Sequence, residues 1–198
     1  MKSLKIVSSG IDALKRLRQF FSMHTAIKIH KGLIEPHFDY YSAVWDGLTQ
    51  QLSEKLQKLQ NCSIRVITTS SHDTSSRFLL NSFGWDNLSV RRAKKKAHLM
   101  YKCIKHLALA YPCNLFCPKN TNYYFRNAKK KLMLPKPRTD YLKRSFSYSG
   151  ALLWNNLLEE IRTSNSLSFF KRSSHRWFSD QYTIPHGKHV KQFLRIFN

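Results

Sequence analysis

Cys103, His106, Cys113 and Cys117 follow one another as C-x2-H-x6-C-x3-C, four soft or borderline ligands at a spacing a small zinc site could close. Cys103 and His106 would lie one helical turn apart. The pattern matches no finger or knuckle spacing, however, and buried thiols are common in protein cores, so no metal is assigned. Carboxylate chemistry has little to draw on: the chain holds 11 Asp and Glu, and a two-metal phosphoryl-transfer centre needs several of them converging. Glu159 and Glu160 are the one adjacent pair, but neighbours on a helix point about 100° apart, and they read as solvated surface. The six glycines form no G-x-G-x-x-G and no P-loop, and no Ser or Cys sits in a glycine-rich elbow. No catalytic residue and no cofactor is therefore assigned.

Cation is what the sequence has in excess. Its 198 residues carry 34 Lys and Arg, for a net charge of +23, and self-repulsion of that size is normally tolerated where a polyanion is the working partner. RNA and/or DNA, held without sequence preference, is the expected partner. Residues 1–90 hold 11 basic and 7 acidic side chains, residues 91–144 hold 16 and 1, and residues 145–198 hold 7 and 3, so the excess is concentrated in the middle segment. There the candidate phosphate contacts are Arg91, Arg92, Lys94, Lys95, Lys96, Lys102 and Lys105, extended by Lys129, Lys130, Lys131, Arg138, Lys143 and Arg144. No acid lies between Arg91 and Thr139 to pair with them along the chain.

The elements that would position these cations are mainly helical. Val7, Ile11, Leu14, Leu17 and Phe21 recur at helical spacing, and a second short helix runs from Thr25 towards Leu33 until Glu35 and Pro36 interrupt it. Leu52, Leu56, Leu59, Ser63 and Val66 form a third stripe behind Thr49 as cap, and Gly84 closes a helix containing Phe78, Leu79 and Leu80. Ser89 caps a helix through Leu107, with Ala93, Ala97, Met100, Ile104 and Leu107 on one face and Arg91, Lys95, His98, Lys102 and Lys105 opposite. Residues 111–148 mix four prolines with two β-leaning runs, 131–134 and 143–148. Tyr123, Tyr124 and Phe125, beside Arg126 and Lys129, could stack bases or pack in a core. Trp154, Leu157, Leu158 and Ile161 mark another helix, and Ser166 caps the last, which runs through Phe170 to Trp177. The fold class is mainly α, an irregular helical bundle with a basic loop or small β-hairpin around residues 123–148.

No apolar run approaches the roughly 18 residues of a spanning helix, so neither secretion nor membrane insertion is expected and the four cysteines read as reduced thiols. The expected location is intracellular, and nuclear in so far as a cluster such as residues 91–96 can act as an import signal.

Five stretches together carry a family resemblance: residues 9–18 (SGIDALKRLR), 33–46 (LIEPHFDYYSAVWD), 56–67 (LQKLQNCSIRVI), 83–104 (FGWDNLSVRRAKKKAHLMYKCI) and 138–172 with its core SFSYSGALLWNN. They resemble, in order, the segment downstream of the polymerase palm in reverse transcriptases of jockey-like non-LTR retrotransposons. The resemblance implies a thumb-like helical region over residues 3–110, beside which the residue pattern sets a basic Pro- and aromatic-rich loop or hairpin over 111–148, a C-terminal helical pair over 149–182 and an unplaced tail over 183–198. It implies a region that holds template RNA and target DNA for a polymerase. The polymerase itself is missing, because the family's Ala-Asp-Asp has no counterpart and no Asp-Asp dipeptide occurs. Leu158 stands where the family usually has proline, and Cys62-Ser63 where an Arg or Ala pair is typical. With Met1 falling inside the thumb-like segment, these departures imply a truncated, drifting copy. The expected function is non-catalytic binding of an RNA or DNA backbone. The alternatives are a structural piece that docks onto the palm of an intact retrotransposon polymerase, and a translated remnant with no selected activity.

Overall fold

The computed structural model describes residues 2–39, 49–119 and 129–183. Among these residues the chain is mainly helical and forms no strand; its β pairing is one antiparallel bridge between Pro118 and Leu132. It divides into two compact units at Arg91 and Arg92.

The first unit contains α1 (Lys2–Leu17), a 3-10 turn (Arg18–Phe20), α2 (Met23–Ile29), a π turn (His30–Ile34), α3 (Glu35–Asp39), α4 (Gln50–Thr68), α5 (Ser76–Ser82) and the first turn of α6 (Leu88–Ile104). Val7, Ile11 and Leu14 are buried against Ala26, Ile34, Phe38, Ile67 and Leu88, while Leu17, expected on the same stripe, faces water. A Cβ on Gly10 would meet Ile34 Cγ1 at 3.2 Å, which is how closely α1 and the π turn approach. Ser22 caps α2 by accepting from Thr25 N at 3.2 Å. Pro36 does not interrupt the helix as its type predicts. The π turn carries the chain past it: Glu35 N reaches back to His30 O, and that looser turn accommodates a proline ring that would clash inside a regular α-helix.

The buried seam of α4 is Gln60, Ser63, Ile64 and Ile67, rotated from the leucine stripe, with Leu56, Leu59 and Val66 half-buried beside it. Its polar members are satisfied. Gln60 Nε2 donates to Asp86 O at 3.1 Å, and Gln57 Oε1 accepts from Leu88 N at 2.9 Å, serving one of the unpaired N–H groups at the start of α6. Gly84 closes α5 at φ +63°, with Trp85 N donating to Leu80 O at 2.8 Å.

Trp85 stacks on the buried His30 at 4.8 Å between ring centroids, and Ser63 Oγ lies 3.2 Å from His30 Nε2. Burial pushes the His30 imidazole down to about 4, with Glu35 opposing and Arg91 and Lys31 adding to the shift. His98 of the second unit is likewise lowered to about 4, first by burial and then by Lys171, Lys102, Lys94 and His175. A histidine whose folded pKa lies below its unfolded value near 6.5 binds more protons when unfolded. Stability is therefore full above about pH 6.5 and is lost as pH falls towards about 4. Urea unfolding is expected to show His30 costing the first unit on the order of 2 kcal/mol between about pH 7 and pH 4.5. A His30→Gln chain whose pH dependence over that interval is smaller by about this amount, with the share of His98 remaining, would support this assignment, and an unchanged slope would refute it.

The second unit continues α6 from Arg92 and adds α7 (Ala110–Cys113), α8 (Asp140–Arg144), α9 (Phe146–Asn156), α10 (Glu159–Arg162) and α11 (Leu167–Thr183). Phe170 lies 4.5 Å from the Tyr101 ring and 5.8 Å from that of Trp154, tying α6, α9 and α11 together. Gly150 lets α9 close on α6, since a Cβ there would stand 2.8 Å from Met100 Sδ. α6 ends at Ile104, short of Leu107: His106 turns left-handed at φ 55°, and Leu107 N donates to Lys102 O at 2.8 Å.

The expected β-leaning run 143–148 is helical. Thr139 Oγ1 accepts from Leu142 N at 3.3 Å and Ser145 Oγ from Tyr148 N at 3.4 Å, so two caps override the aromatic composition. Leu157, extended at φ −65° and ψ 151°, splits the helix expected from Trp154 to Ile161. Ser166 caps α11, accepting from Phe169 N at 3.2 Å. No helix among the described residues is long and apolar enough to cross a membrane.

Candidate nucleic-acid interface

The thirteen candidate cations separate into distinct environments. On α6, Lys96 is fully buried and donates from Nζ to Ser149 Oγ at 3.0 Å, while Arg92 and Lys94 are also buried. At about 100° per residue Lys96 lies only about 60° from Ala93, inside the packed face rather than opposite it. Its stem fills the core between α6 and α9. Arg91 is half-buried and paired with Glu35 and Asp39, the latter at 2.6 Å. The partners that the adjacent sequence lacks thus come from α3 of the same unit. Arg91, Arg92, Lys94 and Lys96 are structural cations, and Lys95 is half-buried with a partner of its own. Burial corrects the assignment of Arg92, Lys94 and Lys96 as phosphate contacts, and Arg91 is already engaged by two carboxylates.

Lys102 is exposed and Lys105 is half-buried. Lys105 Nζ sits 5.9 Å from the Tyr101 ring centroid, and its charge acts on Lys130. The Lys130 pKa is lowered, first by partial burial and then by Lys105. Two lysines far apart in sequence are therefore brought together, and like charge at close range costs free energy unless an anion joins it.

The run Lys129–Lys131 is presented by its own backbone. Arg162 Nε donates to Lys129 O at 3.2 Å, Trp154 Nε1 to Lys130 O at 2.8 Å, and Lys119 N to Lys131 O at 2.9 Å. Asn155 exchanges two bonds with Leu132, accepting from its N at 2.8 Å and donating to its O at 2.9 Å. Lys130 is held left-handed at φ 55°, a conformation a non-glycine residue adopts at some cost. With every carbonyl from 129 to 132 engaged, the lysine side chains are left to the surface. Lys129 and Lys130 are exposed and Lys131 is half-exposed. Lys129 approaches Glu159 at 4.0 Å, a weak pairing because its side chain remains 75% exposed.

Arg138, Lys143 and Arg144 lie on and before α8. Arg138 is exposed, Lys143 pairs with Asp140 at 2.9 Å, and Arg144 covers the Tyr141 ring at 5.2 Å. Asp140 is held below the usual carboxylate range by its hydrogen bond to Lys143. Tyr123, Tyr124, Phe125 and Arg126 lie outside the described residues.

Trp154, Asn155 and Arg162 are the positioning residues that sequence reasoning missed. A signal was present: a buried indole N–H, amide or guanidinium must find acceptors, and a nearby chain with no helix of its own supplies them.

The cysteines gather less. Cys103 is buried, and burial together with the neighbouring Cys113 pushes its thiol up to about 12. Cys113 donates to Leu109 O at 3.0 Å, and Cys117 is exposed. Among the described residues no group of three potential ligands converges. No family model, curated protein or solved structure matches the chain.

Proposed function

We propose that the chain is a non-catalytic nucleic-acid-binding module that grips the sugar–phosphate backbone of RNA or DNA through Lys102, Lys105, Lys129, Lys130 and Lys131, with Arg138, Lys143 and Arg144 extending the track. The observation that carries this reading is the clamp of Trp154, Asn155 and Arg162 on the backbone of residues 129–132, which leaves Lys129 and Lys130 exposed, with the charge of Lys105 acting on Lys130. A rigidly presented cluster of like charge stabilises nothing internally and suits a polyanion. The resemblance to the post-palm region of a jockey-like reverse transcriptase agrees with such a role and with an origin as a polymerase fragment that acts in the nucleus.

Changing Lys102, Lys105, Lys130 and Lys131 together to Gln is expected to lower the single-strand salt slope by about 3 and affinity at about 0.15 M salt on the order of 100-fold, whatever the sequence. An unaltered slope in a chain of unaltered helicity would overturn the assignment.

A second reading, docking onto the palm of an intact polymerase, draws on exposed Leu107, Leu109 and Tyr111, which stand 63%, 82% and 81% open to solvent. It predicts that an added palm fragment slows hydrogen exchange in residues 107–111, and the absence of any slowing would remove it.

A further inference from the structure

A groove of about 810 Å³ opens in the first unit, walled by the C-terminal end of α1 with the 3-10 turn and by the exposed side of α4. Lys15 and Arg18 stand on one wall and Lys58 and Arg65 on the other, and no carboxylate and no Phe, Tyr or Trp lines it. Two of these cations are fixed in place. Arg18 donates from Nε to Ile67 O at 2.8 Å and from Nη1 to Phe21 O at 2.6 Å, and Arg65 donates from Nε and Nη2 to Thr74 O at 3.3 and 3.2 Å. Those bonds satisfy carbonyls and leave both guanidinium charges uncompensated by any anion among the described residues. Lys15 and Lys58 are exposed and make no ion pair among the described residues. Glu54, one turn before Lys58 and well spaced to pair with it, accepts from Gln50 Nε2 at 3.0 Å instead.

Four gathered cations with no acid in a concave site oppose folding unless an anion enters. The volume exceeds what one phosphate fills and suits a length of chain. His72 is the one ring on the lining and no Phe, Tyr or Trp adds a platform for successive bases, so recognition would fall mainly on the backbone. We infer that this groove is a second nucleic-acid site, holding the phosphates of a single strand independently of the lysine face of the second unit. This inference rests on the nucleic-acid reading above.

Two thiols allow the sites to be read separately in the full chain. Cys62 is exposed and lines the groove, whereas Cys117 is exposed in the second unit, next to the bridge that joins Pro118 to Leu132. N-ethylmaleimide alkylation is followed at each with and without oligo(U) of about 20 nucleotides, a length that spans a site of this kind. Oligo(U) is expected to slow both thiols by about five-fold or more, since alkylation requires access. In the Lys15→Gln, Lys58→Gln chain, protection of Cys62 is lost, that of Cys117 persists, and the salt slope falls by about 1.4. Unslowed Cys62 beside slowed Cys117 would overturn the groove site and leave the module reading standing. Neither thiol slowed, with no binding, would overturn both. Polyglutamate of matched charge protecting Cys62 as well as oligo(U) does would show a groove for acidic chains generally and overturn its assignment to nucleic acid.

Discussion

Arg162→Lys is expected to destabilise the second unit by about 3–5 kcal/mol in urea unfolding, although it keeps the charge. Arg162 is fully buried and its guanidinium serves three carbonyls, Lys129 O at 3.2 Å, Asn155 O at 3.0 Å and Leu157 O at 2.6 Å. Burial lowers its pKa, with Glu159 opposing, but an arginine stays charged where a lysine would face the same burial with a compact ammonium. That ammonium cannot reproduce the planar fork, and each carbonyl left without a donor costs about 1–3 kcal/mol. Because a partly unfolded chain would also bind poorly, Trp154→Phe provides the cleaner companion. It removes one donor, the indole N–H on Lys130 O, while keeping a ring against Phe170. About 1–3 kcal/mol of lost stability is expected, together with a flatter salt dependence in a chain that still folds. Full stability and binding in both variants would show that the clamp does not position the lysines.

Lys96→Ala is expected to cost about 2–4 kcal/mol, as much as emptying an apolar core position, while Lys102→Ala stays within about 0.5 kcal/mol. The two lysines are six residues apart on α6, yet Lys96 is fully buried with Nζ on Ser149 Oγ and Lys102 is exposed. Binding should divide them the opposite way. Lys102→Ala should lower the single-strand salt slope by about 0.7, and Lys96→Ala should leave it unchanged under conditions where the variant is folded. Equal thermal midpoints for the two would contradict the packing described for α6. Replacing residues 91, 92, 94, 95 and 96 together by Gln would likewise report folding, because four of those side chains are buried or ion-paired.

The helices were legible wherever apolar spacing decided them. Val7, Ile11 and Leu14, the Gly84 stop and the Ser166 cap all stand as the residue types require. Local chemistry failed where a second effect overrode it. Pro36 is carried by a π turn, and the aromatic run after Lys143 is taken into helices by Thr139 and Ser145. The candidate site was half legible. Charge density along the chain drew attention to the segment that holds Lys102, Lys105 and residues 129–131, but counting lysines does not say which cations have buried stems. The helical wheel already set Lys96 beside Ala93 and could have removed it. The clamp on residues 129–132 was not legible, because it depends on Trp154, Asn155 and Arg162 reaching a segment more than 20 residues away. The groove of the first unit was hidden for a related reason: Lys15, Arg18, Lys58 and Arg65 fall in a stretch of modest net charge and meet only when α1 packs on α4.

The central claim is that the folded chain holds nucleic acid by its backbone, and the direct measurement is binding of the purified chain to single-stranded RNA, single-stranded DNA and duplex DNA across a salt series, with circular dichroism recorded at each salt concentration. A helical chain whose affinity for single strands falls by at least about three decades per decade of salt, with little dependence on base sequence, is the predicted result. A helical chain that binds none of the three, or whose affinity is indifferent to salt, would contradict it.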